Sequence, residues 1–352
     1  MIEKIDDKDT WQTLKESRKP IVLYGMGNGA DQIIEVLAGY GLDVSDVFAS
    51  DGFVRGQLFH EKRVLTLREA EEKYDDFIVV MTFAVHDKKT LGFVKELSKK
   101  HTLLSPTVPV SGGGLITRAF IKEHDSEYDR AFSLLSDEKS RETFLNVLRF
   151  TVSGNTDYLF SVMSEKSEVY SDILKLSANE KIVDLGAYNG DTVREFLEAT
   201  NGQYDSILAL EPDEKNFKKL LKNTEGLKNV VCRNLGAWDK DETLFFEKKS
   251  SRSSHKSDTG IPVRFTSVDS LVQEQVSFIK MDIEGAEGKA LDGAANTIRQ
   301  YKPKLYVCAY HRNEDLFALP LKINGIQPGY SYYFRHHPYI PAWESNFYCV
   351  YK

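Results

Sequence analysis

The stretch that most limits what this chain can become is Lys181 to Thr192, KIVDLGAYNGDT. Ile182 and Val183 read as the end of a buried strand, Asp184 closes it, and Gly186 and Gly190 bracket a tight turn. From Asp191 the run TVREFLEA spaces Val193, Phe196 and Leu197 for the buried face of a helix. Strand, glycine turn and helix N-terminus in succession are how doubly wound sheets bring a cofactor against the backbone. The glycines do not follow the G-x-G-x-x-G of dinucleotide folds but an acidic-x-Gly-x-x-x-Gly form. Taken alone, the pattern also fits an ordinary strand-to-helix turn.

With 352 residues the chain is long enough for two domains. Its net charge of −7 argues against general affinity for nucleic acid or anionic membrane. No apolar run approaches the roughly 20 residues of a membrane span, and the N-terminus MIEKIDDKDT is too polar for a signal peptide. Cys232, Cys308 and Cys349 lack metal-ligand spacing and read as reduced core thiols, so a cytoplasmic protein is expected.

Ahead of the glycine turn the chain alternates strand and helix. Strand Ile21–Tyr24 leads into Gly25-Met-Gly27-Asn-Gly29-Ala30 and a helix, and further strands end at Asp51 and Phe83. Gly25, Gly27 and Asp51 could contact a nucleotide or nucleotide sugar; equally, the turn could be structural or recognise a partner. Ser111-Gly-Gly-Gly114 interrupts the pattern, and residues 115–176 read as two or three helices, a cap or a spacer. The expected divisions are an N-terminal Rossmann-like domain at 1–112, a helical connector at 113–176 and a second α/β domain at 177–352.

Beyond the glycine turn, strand SILALEP ends near Glu211, about 20 residues on, where a carboxylate can accept both hydroxyls of a ribose. NVVCRNLGAW ends at Trp238 and Asp239, which could pack on an adenine and accept from its amino group; a core tryptophan is the other reading. A serine-rich stretch at 248–260 is either solvated or closes over a charged substrate. The strand of VSFIKMDIEGAE delivers Asp282 and Glu284, and LYVCAYH delivers His311.

IVDLGAYNGDT, LALEPDEKNFKKL, GAWDKDETLFF, FIKMDIEGAEGKALDGA and AYHRNEDLFALP succeed one another between Ile182 and Lys352. Together they resemble an FkbM-type S-adenosylmethionine (SAM)-dependent methyltransferase, IKMDIEGAE being the most specific piece. Tyr188-Asn189 stands where the family often has Asn-Ile or Tyr-Asp. The segment from Ile21 to Ala70 resembles the N-terminal domain of bacterial sugar O-acyltransferases. The resemblance implies an α/β Rossmann-like methyltransferase fold, a mostly parallel seven-stranded sheet with an antiparallel final strand. It implies SAM held by Asp184, Gly186, Tyr188, Gly190, Glu211, Trp238 and Asp239, and a carbohydrate or natural-product hydroxyl as small-molecule or glycan acceptor.

A hydroxyl must lose its proton during transfer, so a base or a metal is expected near the methyl donor. His311 is the first choice of base, with Asp282 orienting it or contacting the acceptor directly and Glu284 beside it; a metal on Asp282, His311 and perhaps His336 is the alternative. An NAD-dependent oxidoreductase and a non-catalytic assembly module are the competing functions. Oligomeric state has no signature in the sequence.

Overall fold

The computed structural model describes residues 1–109, 114–246, 256–257 and 261–352. Most of the triglycine boundary and most of the serine-rich stretch therefore lie outside the described residues.

A seven-stranded sheet carries the second half of the chain. Its strands run in the order Tyr330–His336, Ser345–Tyr351, Lys304–Cys308, Phe278–Met281, Lys181–Leu185, Ser206–Leu210, Val230–Arg233. Ser345–Tyr351 pairs antiparallel with both neighbours, and the other contacts are parallel. The sheet is thus the expected mostly parallel one with an antiparallel last strand. Helices Asp191–Ala199 and Glu214–Asn223 come after the first two strands; Gly190 opens one and the Asp213 carboxylate caps the other by accepting from Asn216 N. A strand that ends in the middle of the sheet, at Leu185, puts its following loop over the crevice where strand order reverses, the usual ligand position in such sheets.

A second sheet, order Asp46–Phe48, Ile21–Tyr24, Ile78–Met81, Thr102–Leu104, is parallel throughout and forms the N-terminal Rossmann-like unit. Between the sheets lie helices Arg118–Glu123, Asp125–Leu134, Glu138–Ser153 and Asp157–Val162. One apolar cluster runs through all three parts, with Val22 and Val79, Phe144 and Leu148, and Val183 and Met281 among its buried members. Backbone bridges Val85↔Ile340 and Leu104↔Asn155 stitch the N-terminal unit to the seven-stranded sheet region and to the helices. Among the described residues no helix is long and apolar enough to cross a membrane.

Candidate active site

The glycine turn is built by packing. Gly186 has φ +80°, and a Cβ there would stand 1.8 Å from the Asp282 carbonyl oxygen. The turn presses on the end of the neighbouring strand, and that backbone by itself requires a glycine at 186. Gly186→Ala is therefore expected to cost more than about 2 kcal/mol, a strained left-handed residue plus a backbone clash, readable as a lowered denaturation midpoint.

Asp184 does not face the cleft. It is fully buried, and Lys280, opposite it in the adjoining strand, puts Nζ 3.2 Å from Oδ1. The same ammonium donates to Gly186 O at 2.8 Å, so a buried cation ties the glycine turn to the sheet. Burial works against the Lys280 charge, but Asp184 and then Asp282 outweigh it and hold the ammonium above the ordinary lysine range. Lys280 was legible only as a charge inside an otherwise apolar strand; the register that faces it to Asp184 is a tertiary fact.

Glu211 lies under the turn. Its Oε2 accepts from Tyr188 N at 2.8 Å and its Oε1 from Asp213 N at 2.9 Å. Burial pushes this carboxyl up to about 7, against those two backbone bonds. Tyr188 itself has φ +46° and an exposed ring, with Lys219 Nζ 5.7 Å above it. Trp238 packs edge-on to Phe265 and gives its backbone N–H to Thr266 O. Asp239 pairs through Oδ2 with Lys289 at 2.7 Å, while its buried Oδ1 has no partner. The fit to an adenosine is good. Each Glu211 oxygen keeps a second lone pair for a ribose hydroxyl, and the orphaned Asp239 oxygen is an acceptor for an amino group.

The second cluster surrounds His311, three residues past the Lys304–Cys308 strand and 3 % exposed. Its Nδ1 stands 3.0 Å from Glu287 Oε1, and its Nε2 is 3.5 Å from Asp282 Oδ1 and 3.8 Å from Glu284 Oε2. Burial alone would lower the ring's pKa, but Glu287, Asp282 and Glu284 raise it from 6.5 to about 10. The imidazole is protonated at neutral pH, contrary to the expectation of a base titrating near neutrality. Asp282 is tied to the first cluster: its N–H bonds Leu185 O, and burial of its carboxyl is outweighed by Lys280 and His311, which hold it below the usual range. Tyr310 OH donates to Asp282 Oδ1 at 3.1 Å.

Glu287 was not singled out in the sequence, although it stands in the same MDIEGAE segment. Asp282, Glu287 and His311 offer ligand atoms within 4.8 Å of one another, a group that could hold a divalent cation once the ring proton is displaced. His336 does not join them. It is fully buried, Nδ1 pairs with Ser345 Oγ and Nε2 with Tyr339 O, and burial lowers its pKa to about 4. It is a core histidine.

Next to His311 opens a cleft lined by Tyr310, Asn313 and Trp343, with Thr107 and Val108 from the end of the N-terminal unit and Thr151 from helix Glu138–Ser153. Gly25 and Gly27 form the turn after strand Ile21–Tyr24 of the N-terminal unit, and Asp51 opens a short 3-10 helix beyond strand Asp46–Phe48. A Cβ on Gly25 would meet Phe83 Cδ1 at 2.5 Å and Thr82 Oγ1 at 2.7 Å, so that glycine too has a packing reason. Cys308 and Cys349 are buried, Cys232 is half-buried, and all three are free thiols.

Residues 184–338 match the family model of the methyltransferase FkbM domain. This part of the chain is an FkbM methyltransferase domain. The methyltransferase FkbM of Methylobacillus flagellatus KT shares its fold with the present chain at a TM-score of 0.74, with 22% identity over 99% of this chain and 95% of that one. An rRNA methylase from Streptococcus thermophilus aligns at TM-score 0.36 and 12% identity, over 53% of this chain and 93% of its own. Aeropyrum pernix fibrillarin, solved with S-adenosyl-L-methionine, aligns at 0.34 and 13%, over 53% and 73%. No curated protein matches the chain. An FkbM domain implies SAM as methyl donor.

Proposed function

We propose that this FkbM domain methylates a hydroxyl group of a carbohydrate or natural-product acceptor, with SAM held at the glycine turn and His311 removing the acceptor proton. Bound there, SAM supplies an electrophilic methyl group on a sulfonium. Glu211 accepts from the ribose, Asp239 from the adenine amino group, and the Tyr188 and Gly186 backbone borders the methionine part. The observation that carries the reading is His311, buried, with Nε2 turned toward Asp282 at the edge of the same turn. In its neutral form, reached as pH rises toward about 10, a buried ring at that place can take the proton that a hydroxyl must lose and that a thioether acceptor does not carry. The cleft fits a small acceptor better than a polymer: aromatic Tyr310 and Trp343 flank it, and Asn313 and Thr107 supply polar atoms. Binding energy there can hold donor and acceptor in line, worth up to about 7–11 kcal/mol.

A metal-assisted reading is favoured by the Asp282–Glu287–His311 group alone. The two part on chelation: EDTA abolishes a metal-dependent activity, and magnesium or manganese restores it. The experiment for the function is release of S-adenosylhomocysteine across a panel of nucleotide sugars, glycans and hydroxylated natural products. Turnover with amine or nucleic-acid acceptors, and none with hydroxyl acceptors, would overturn it.

Cofactor binding has its own pH test. With Glu211 ionising at about 7, a carboxylate that accepts from the ribose binds it only above that pH. SAM affinity measured by calorimetry should rise through pH 7 and level off, by up to tenfold per unit below it. Glu211→Gln should remove the pH dependence. Glu211→Ala should weaken SAM by roughly 10-fold or more, the loss of two bonds to a charged acceptor. Unchanged affinity in Glu211→Ala would free that residue of the role.

A further inference from the structure

We propose that Thr107, at the end of the N-terminal unit, is a specificity-determining residue for the methyl acceptor. Its hydroxyl pairs with a second hydroxyl of the acceptor, one that is not methylated. The acceptor is therefore a polyhydroxylated ring, such as a sugar unit, rather than a compound with a single hydroxyl. The inference rests on the reading that a hydroxyl acceptor occupies the cleft beside His311.

The walls of that cleft come from all parts of the chain: Thr107 from the N-terminal unit, Thr151 from helix Glu138–Ser153, and Tyr310, Trp343 and Ser345 from the FkbM domain. Its other hydroxyls are already committed. Thr151 Oγ1 donates to Val147 O at 2.8 Å, Ser345 Oγ to Ala342 O at 2.7 Å, and Tyr310 OH to Asp282 Oδ1 at 3.1 Å. Thr107 differs from them. Its Oγ1 is buried and has no hydrogen-bond partner among the described residues. A hydroxyl taken out of water without a partner destabilises the fold that carries it. A bond to a ligand in the same cleft offsets that loss and accounts for a polar side chain there.

The backbone under Thr107 is fixed. Strand Thr102–Leu104 leads into it, Leu104 bridges to Asn155, and Ser105 N donates to Gly154 O at 2.8 Å. Pro106 and Pro109 flank the Thr107-Val108 pair and restrict the chain on either side. Asn313 Nδ2 donates to Gly114 O at 3.1 Å, which ties the chain beyond Pro109 to the segment that carries His311. The side chain keeps one freedom, χ1, and because Oγ1 has no bond to break, turning it toward the cleft forfeits no hydrogen bond. A threonine hydroxyl both donates and accepts, so it matches another hydroxyl in either role. Val108 and half-buried Trp343 add apolar surface beside it. An apolar wall with an isolated polar point is the usual make-up of a pocket for a small ligand.

The test compares full-length Thr107→Val, which trades the hydroxyl for a methyl group of similar shape, with Thr107→Ser, which keeps it. Without acceptor, Thr107→Val should unfold at a denaturant midpoint no lower than the wild type. A lower midpoint would mean that the hydroxyl is bonded within the protein, and it overturns the proposal. Methyl transfer is then measured on a panel of methyl glycosides and nucleotide sugars, and, for each one methylated, on analogues lacking one other hydroxyl. Thr107→Val should raise KM for the parent sugar roughly 3- to 10-fold, the scale of one hydrogen bond, with kcat and SAM affinity within about twofold of wild type. Thr107→Ser should keep the wild-type KM. One deoxy analogue should lose the same factor with the wild type and nothing further with Thr107→Val. Sugars methylated with an unchanged KM in Thr107→Val, or losses that simply add, overturn the role of Thr107 and leave the hydroxyl reading intact. A wild type that methylates amines and no hydroxyl overturns both, and one that prefers single-hydroxyl phenols to every sugar overturns the proposal alone.

Discussion

Lys280→Met is expected to destabilise the protein by about 3–5 kcal/mol, because it leaves the Asp184 carboxylate buried without its cation. Asp184→Leu should cost a similar amount by stranding the ammonium. Both side chains are at most 2 % exposed, so water cannot take over from the lost partner. The double replacement Asp184→Leu with Lys280→Met should cost far less than the two single losses added together, since a buried ion pair is often matched by apolar packing of similar volume, leaving mainly the missing bond to Gly186 O. Denaturant titration of the four proteins reads this coupling. Cofactor binding should not come back with it. The double variant still lacks the bond from Nζ to Gly186 O, a charged donor worth about 1.5–3 kcal/mol. SAM affinity is therefore expected roughly 10- to 100-fold below wild type in a fully folded double variant. Recovery of both stability and affinity would make Lys280 a filler of the core with no part in shaping the turn.

His311→Gln should lower methyl transfer by roughly 10²–10⁴-fold with SAM affinity nearly unchanged, the usual scale of a lost acid–base group. Only the neutral ring accepts a proton, so the rate should rise with pH through an ionisation displaced from 6.5 toward about 10. The same displacement bears on stability. A histidine that holds its proton more tightly in the fold contributes most below its unfolded value of 6.5, and that contribution is lost as pH rises through about 10. Midpoints of unfolding should fall over this window in the wild type and less steeply in His311→Gln. Displacing the proton also weighs against a metal at neutral pH, by about 4 kcal/mol. A rate limb near 6.5, or complete inhibition by chelator with rescue by magnesium, would transfer proton removal from the ring to another agent.

The order of strands and helices was legible because each element carries its own signal. Alternating apolar runs, the glycines of the turn and the acid at Glu211 are local, and Pro303 marks the start of a strand that begins at Lys304. Local signal also located Asp282, Glu284 and His311 near strand ends. It failed where role depends on what faces a residue. Asp184 resembled a cofactor contact and is a buried ion-pair partner, since only strand register brings Lys280 opposite it. His336 also read as standing at a strand end, behind His311 as a candidate, yet it has both nitrogens satisfied in the core while His311 has three carboxylates around it.

Hydrophobic period and turn chemistry act over a few residues, and they were enough to set the doubly wound architecture and the place of the glycine turn. Which charges meet was settled in three dimensions. Lys280 with Asp184, and Glu287 with His311, are pairs separated by 96 and 24 positions, and their ionisation is set by burial and distance, quantities that no local pattern contains. The same holds for the cleft, where Thr107 and Val108 come to stand beside His311 and Trp343. One apolar cluster runs across the three parts of the chain, and its packing, not the order of residues, gives the cleft its walls.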